Sequence, residues 1–285
     1  MAKKKLADLE SFQYAAADRS DGEKAAAGRF ALSKIDPADK PFSSGDKERD
    51  KQTVADLATE LDGLQEMLYA DRRYKLLVVL QGTDASGKDG TIRGVFSQMS
   101  ALGVHTVSWK APSDEERAHD YLWRIHQKMP SAGEIVIFNR SHYEDVLVPV
   151  VLGSLTPAQT RERYAHINDF ERMLTETGTV IVKFFLHISK NEQKARLQAR
   201  LDDPQKHWKF DPQDLEERKL WTDYQVAYTE LLAETDTDQS PWYVVPADSK
   251  THRNLVVASV LKEVLEDMKL AYPTPHPEYA ALKVE

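Results

Sequence analysis

The sequence predicts an α/β fold, a parallel sheet covered by helices on both faces. Two observations predict it. From about residue 75 onward, short apolar segments alternate with longer segments of helical period. Residues 76–93, LLVVLQGTDASGKDGTIR, run from an apolar segment through G-x-x-x-x-G-K into a helix-like stretch. That is the strand–loop–helix context of a phosphate-binding loop.

The elements follow in order. Residues 1–50 are polar and lack a sustained period, and read as an extended arm. Phe30, Leu32, Ile35 and Phe42 are its candidate anchors, to the body or to a neighbouring subunit. Residues 50–69 read as a helix, with Val54, Leu57, Leu61, Leu64 and Leu68 at helical spacing. Strands are expected at 75–80, 105–109, 134–138, 180–187 and 242–245. Helices are expected at 88–101, 115–128, 156–177, 190–201, 212–234 and 252–268. The body is placed at 51–272, with a lid at about 190–212, and a tail at 273–285. Ligands of such sheets bind beyond the C-terminal strand ends. The loop at Gly82, Asn139-Arg140 and Ser189-Lys190 all fall there.

Composition narrows the class. The 285 residues are 41% hydrophobic and 29% charged, enough for a packed domain. The formal net charge of −8 argues against a general nucleic-acid binder, so an anionic ligand must be met by local cations and metal ions. Cysteine is absent, which removes disulfides, thiolate metal sites and cysteine nucleophiles. No apolar run reaches membrane-span length, and the basic start, MAKKKLADLE, lacks the apolar core of a secretion signal. A cytoplasmic enzyme with no membrane partner is expected.

The loop comprises Gly82, Thr83, Asp84, Ala85, Ser86, Gly87 and Lys88, followed by Asp89 and Gly90. Its backbone N–H groups and the helix start suit a phosphate, with Lys88 as the mobile charge. The residue after the lysine is normally Ser or Thr, a magnesium ligand. Here it is Asp89, and Asp84 lies inside the loop. Two carboxylates beside a phosphate call for a cation between them, magnesium or manganese. Asp89 can also be a first-turn acid favoured by the helix dipole.

Residues 135–145 read IVIFNRSHYED. Asn139 ends the strand where related chemistry often uses Asp, and Arg140 can hold a phosphate with paired donors or make a structural ion pair. Glu144 and Asp145 are candidate phosphate-site and metal groups respectively, or acids favouring a helix start. His142 and Tyr143 read as packing or orienting groups. Residues 190–210, KNEQKARLQARLDDPQKHWKF, place Arg196 and Arg200 on one side of a Leu197–Leu201 stripe, and Lys190 and Lys194 on the other. With Lys206 and Lys209 they suggest a lid that supplies cations to a transferring phosphoryl group, or a solvated charged face. Arg93, Lys110, Arg117 and Arg124 each read as a surface charge alone, and as a set could extend a channel for a long anion. Trp109, Trp123 and Trp221 read as core; Trp208 and Phe210 read as core or as groups that could contact a base.

These motifs resemble the polyphosphate kinase 2 family over about residues 29–274. The resemblance rests on Gly82-x-Asp84-Ala85-x-Gly87-Lys88-Asp89-Gly90, Phe138-Asn139-Arg140-Ser141-x-Tyr143, Phe184-x-x-His187-Ile188-Ser189-Lys190 and Asp202-x-Pro204-x-Lys206-x-Trp208-Lys209. It implies a three-layer αβα P-loop kinase fold like thymidylate kinase, with a helical lid. It implies magnesium-dependent phosphoryl transfer between inorganic polyphosphate and adenine nucleotides, in a homo-oligomer, dimer or tetramer. By position, Asp84 and Asp89 match the loop acids, Lys88 the loop lysine, Arg140 a phosphate contact, and Lys190, Arg196 and Arg200 the lid. Tyr143-Glu144-Asp145 resembles the group acting on both AMP and ADP, where diphosphate-preferring members often read Tyr-Asn-Arg. Loop and lid alone also permit an ATP-dependent kinase or a nucleotide-binding regulator.

Overall fold

The computed structural model describes residues 32–284. The elements run α1 (Lys47–Asp71), β1 (Lys75–Gln81), α2 (Lys88–Val95), β2 (Val104–Ser108), α3 (Asp114–Arg117), α4 (Trp123–His126), β3 (Ile135–Asn139), α5 (Glu144–Val151), α6 (Pro157–Glu176), β4 (Thr179–His187), α7 (Lys190–Leu201), a 3-10 segment (Pro204–Lys209), α8 (Gln213–Lys219), α9 (Trp221–Thr235), β5 (Trp242–Pro246) and α10 (Lys250–Asp267). The five strands form one sheet in the order β2-β3-β1-β4-β5, and every pairing is parallel. All five C-terminal ends therefore share one edge.

Strand period divides the core in two. Leu76, Val78 and Leu80 face a cluster with Leu61 and Leu68 of α1 and Val256, Val260 and Leu261 of α10. Leu77 and Val79 face the opposite cluster, with Val146 of α5, Ile167 of α6 and Leu231 of α9. Burial on both sides explains why β1 reads as a continuous apolar run. Helix starts are capped as their sequences allow. Asp46 accepts from the N–H groups of Glu48 and Arg49, Thr156 and Gln159 form a capping box ahead of Pro157, and Ser189 and Ser249 cap α7 and α10.

Several boundaries differ from the sequence expectation. The first helix begins at Lys47, inside the expected arm. The helix expected at 88–101 stops at Val95, because Phe96 leaves helical geometry and the chain turns there, packing Met99 against the core. The helix expected at 115–128 is two single turns. A Ser113–Glu116 capping box starts the first, and Asp120 accepts from Leu122 N–H ahead of the second. Leu220 divides the helix expected at 212–234. Helix α5 was hidden by its internal Pro149. Of the arm anchors, Leu32 is buried in one core cluster, with Ile35 against it, and Phe42 packs on the other. They hold the arm to its own body, while Phe30 lies outside the described residues. Among the described residues no helix is long and apolar enough to cross a membrane.

A charged network sits inside the second cluster. Lys183, in the middle of β4, is fully buried and donates to Glu171 Oε2 and the Thr235 carbonyl, both at 2.7 Å, and to Tyr143 Oη at 3.0 Å. Glu171 Oε1 also accepts from Tyr143 Oη at 2.6 Å and lies 3.2 Å from His142 Nε2, and Ser240 Oγ donates to Oε2 at 2.8 Å. Burial opposes ionisation of Glu171, but Lys183 and His142 outweigh it and bring its pKa down to about 2. Removing one partner strands a buried charge. Lys183→Met is expected to lower unfolding free energy by about 3–5 kcal/mol in urea titrations. The double variant Lys183→Met/Glu171→Leu is expected to recover only part of that loss, because it removes both charges but leaves Tyr143 Oη and Ser240 Oγ without their acceptor. A Lys183→Met protein as stable as the parent would show that the pair is not holding this core.

Candidate active site

Connections from β1 and β3 leave the sheet on opposite faces. Helix α2 follows β1 into the first core cluster, and α5 follows β3 into the second. The gap between the two strand ends is the crevice such a reversal creates. The loop 82–87 and Asn139-Arg140 occupy it.

The loop is held open from outside. Gly82, Ala85 and Gly87 have φ of 144°, 61° and 107°, and a Cβ on Gly82 would lie 2.7 Å from the Leu186 carbonyl. Backbone of this kind turns N–H groups inward to form an anion nest. The carbonyls must then find donors elsewhere. Gly82 and Thr83 carbonyls accept from Lys88 Nζ at 2.6 and 3.3 Å, Asp84 from Gln193 Nε2 at 3.1 Å, and Ala85 and Ser86 from Arg196 Nη1 at 2.9 Å each.

Arg140 and Asp84 form the inner corner. Arg140 has a left-handed φ of 64°, its N–H donates to the Leu80 carbonyl, and its guanidinium donates to Asp84 Oδ1 at 2.5 Å. Glu144 lies 3.5 Å from the same guanidinium. Burial favours neutral Asp84, but Arg140 and Lys88 outweigh it and lower its pKa. For Glu144 burial prevails over Arg140 and Lys88, and its pKa rises. Burial and a hydrogen bond to Asp84 push Glu217 up to about 8. Burial and the charge of Asp84 push Asp214 up to about 6, against its ion pair with Arg200. Trp221, Tyr224 and Tyr228 line this corner together with Gln193 and Leu147.

From this corner a broad groove crosses the strand ends. Its cations are Lys88, Lys110, Arg140, Arg196, Arg200, Lys206, Lys209, Lys250 and Arg253, and its acids are Asp84, Asp89, Glu192, Asp211 and Asp214. Cations outnumber acids in a chain of net charge −8. Asp89 is solvent-facing, accepts from Asn139 Nδ2 at 2.7 Å, and lies 3.9 Å from Lys209 Nζ. Gly90 is also on the groove wall.

Four sequence candidates are placed elsewhere or differently. Asp145 is paired with buried Arg124 at 3.0 Å and lines neither cavity beside the loop, so the geometry does not offer it to a metal there. Arg196 reaches the groove but spends Nη1 on loop carbonyls and Nη2 on those of Ala247 and Asp248, at 2.6 and 2.9 Å. Lys190 is exposed beside a different cleft, and Arg93 is exposed outside the groove. Of the residues expected to extend the channel, Lys110 lines the groove, whereas Arg117 pairs with Asp114 and Arg124 with Asp145. His142 and Tyr143 are buried orienting groups on Glu171. Trp109 is core, but Trp208 is 74% exposed, against its core reading.

Sequence spacing alone does not single out Glu217, Lys250 or Arg253. The last two open the helix after β5, so the strand-end rule applied to the fifth strand would have flagged them. Glu217 carried no local signal.

Asp84 and Asp89 are hard oxygen donors flanking the loop lysine, which suits magnesium or manganese. Among the described residues no three acidic, His or Cys side chains are grouped to hold a metal alone. Phosphate oxygens and water would have to complete its shell.

The polyphosphate kinase 2 family model matches residues 44–273. The chain is 51% identical to the AMP/ADP-polyphosphate phosphotransferase of Meiothermus ruber, over 90% of this chain and 97% of that protein. It is 41% identical to the ADP-polyphosphate phosphotransferase of Rhodopseudomonas palustris, over 90% and 91%. The crystal structure of polyphosphate kinase 2 from Arthrobacter aurescens TC1 superposes with a TM-score of 0.86 at 44% identity, covering 89% of this chain and 91% of that one. Fold, loop and sequence agree, and the chain belongs to the polyphosphate kinase 2 family.

Proposed function

We propose that this enzyme moves the terminal phosphoryl group of inorganic polyphosphate to AMP and to ADP, reversibly, giving ADP and ATP. The observation that carries the reading is the groove, whose cations exceed its acids and converge on the loop lysine of an otherwise acidic chain. A long polyanion needs such a track, and the named activities of the two relatives fit it. The reading extends to a cytoplasmic homo-oligomer, dimer or tetramer.

In the proposed reaction an acceptor phosphate oxygen attacks the terminal phosphorus and forms a new P–O bond, while the bond from that phosphorus to the bridging oxygen breaks and the polyphosphate, one phosphate shorter, leaves with that oxygen. The transition state is loose and its charge lies on the phosphoryl oxygens. Lys88 would exchange its bonds to the Gly82 and Thr83 carbonyls for those oxygens. Arg140, fixed by its backbone bond and by Asp84, offers a guanidinium on the other side. Asp84 and Asp89 would hold magnesium or manganese, which when bound neutralises phosphate charge where donor and acceptor meet. Such transfer needs positioning and electrostatics more than a strong base. Glu217 keeps its proton near neutral pH and so can donate to Asp84 instead of repelling it.

AMP or ADP, magnesium and polyphosphate, with no ATP present, are expected to yield ADP and ATP by chromatography. Absence of any product would remove the reading. Lys88→Ala is expected to lower kcat about a hundredfold or more with the thermal midpoint retained; near-normal turnover would remove Lys88 from the machinery.

Glu217 gives a pH prediction. The native state keeps its proton up to about 8, whereas the unfolded chain loses it near the ordinary value of 4.5. Between those values the native state binds more protons, so this group's contribution to stability falls as pH rises. Glu217→Gln is expected to flatten that part of the slope in urea midpoints measured from about pH 5 to about pH 8. Identical slopes in both proteins would refute a raised Glu217 pKa.

A further inference from the structure

Helix α7 opens on a sequence that two other helix starts in this chain use differently. Ser113-x-x-Glu116 and Thr156-x-x-Gln159 both close a capping box. In each, the Glu or Gln side chain returns to accept the N–H of the capping residue, at 2.7 and 2.9 Å. Ser189-x-x-Glu192 has the same spelling, and Ser189 Oγ accepts from Glu192 N–H at 3.0 Å. The Ser189 N–H, however, donates to Asp248 Oδ1 at 2.8 Å. Glu192 turns along the helix instead, and its Oε1 accepts from Arg196 Nε at 2.7 Å.

This exchange decides what Arg196 can do. With Nε on Glu192 and Nη2 on the Ala247 and Asp248 carbonyls, the planar guanidinium has one orientation, and Nη1 falls on the Ala85 and Ser86 carbonyls of the phosphate loop. The side chain is 9% exposed, so an N–H that lost its acceptor would find little water to replace it. The far end of this clamp is also fixed. Ala247 N–H donates to the His187 carbonyl at 2.8 Å, and Asp248 N–H to the Pro37 carbonyl at 3.1 Å. Asp248 lines neither the groove nor the inner corner, so its side chain meets the site only through α7.

We propose that Asp248 is a positioning residue for phosphoryl transfer: by occupying the Ser189 N–H it keeps Glu192 on Arg196, and Arg196 keeps the phosphate loop in shape. Without the Asp248 carboxylate, Glu192 closes the box on Ser189, as Glu116 and Gln159 do on their own caps, and releases Arg196 Nε. The guanidinium is then free to rotate off Ala85 and Ser86, and the loop N–H groups lose their fixed aim. The inference rests on the phosphotransferase reading only for its kinetic consequence.

The test is a double-variant cycle on the full chain, assayed with polyphosphate, magnesium and ADP. Asp248→Ala and Glu192→Ala are each expected to lower kcat about tenfold, the cost of a loosened loop. Asp248→Asn keeps an oxygen for the Ser189 N–H and is expected to stay within about threefold of the parent. The double variant is expected to be no slower than the slower single one within about twofold, because both act through Arg196. Its thermal midpoint should fall below that of Asp248→Ala, since Glu192 can no longer take over the cap. In ¹⁵N-labelled protein without substrate, the Arg196 Nε–H signal, assigned by its loss in Arg196→Lys, should exchange with water about tenfold faster in Asp248→Ala than in the parent or Asp248→Asn. Turnover of Asp248→Ala within about twofold of the parent, a double variant near the product of the two losses, or equal protection of Arg196 Nε–H in parent and Asp248→Ala overturns the proposal. Should Asp248→Ala not fold, Asp248→Asn and Glu192→Ala carry the same comparison. A parent without phosphotransferase activity would refute the functional reading and leave the exchange measurement to decide the link.

Discussion

A loop that points its N–H groups at an anion must point its carbonyls away from it, and those carbonyls need donors before any ligand arrives. From Gly82 to Ser86 five successive carbonyls have them, from Lys88, Gln193 and Arg196. The rest of the site is arranged around that requirement. Arg196 comes from α7, and its other N–H groups fasten the loop to Ala247 and Asp248 after β5. Gln193 comes from the same helix. What reads as a row of lid cations is thus partly scaffold, and the groove is left to the remaining lysines and arginines.

The second face of the sheet supports the opposite wall. Tyr143 and His142, just after Arg140, are both held by Glu171, and Glu171 is held by Lys183 from β4. Gln81 Nε2 donates to Ser141 Oγ across the two strand ends at 3.0 Å. The left-handed turn at Arg140 is therefore fixed on both sides, and its guanidinium meets Asp84 without searching for it. A buried ion pair far from solvent sets the aim of a partly exposed arginine.

Much of this was legible in the sequence because it is local. Apolar strands, the glycine loop and the placement of Asn139 and Arg140 follow from period and spacing alone. What escaped is decided across the chain. Asp145 has the composition of a ligand, but Arg124 reaches it first. Arg196 and Arg200 share a helix face, yet only the position of loop carbonyls tells the staple from the groove cation. Lys183 interrupts an apolar strand, and nothing nearby in sequence announces Glu171 and Tyr143 as its partners. Phe96 and Leu220 end helices where periodicity continues, since packing and turns overrule it there.

The stripe of Gly87, Gly90 and Gly94 admits Arg253 and Asn254, and so ties the loop to the last helix of the sheet. During synthesis the loop emerges early and α10 late. Until α10 docks, Arg196 lacks the Ala247 and Asp248 carbonyls, and the loop's outer wall is open to water. The site at one end of the described chain is thus completed by contacts from the other.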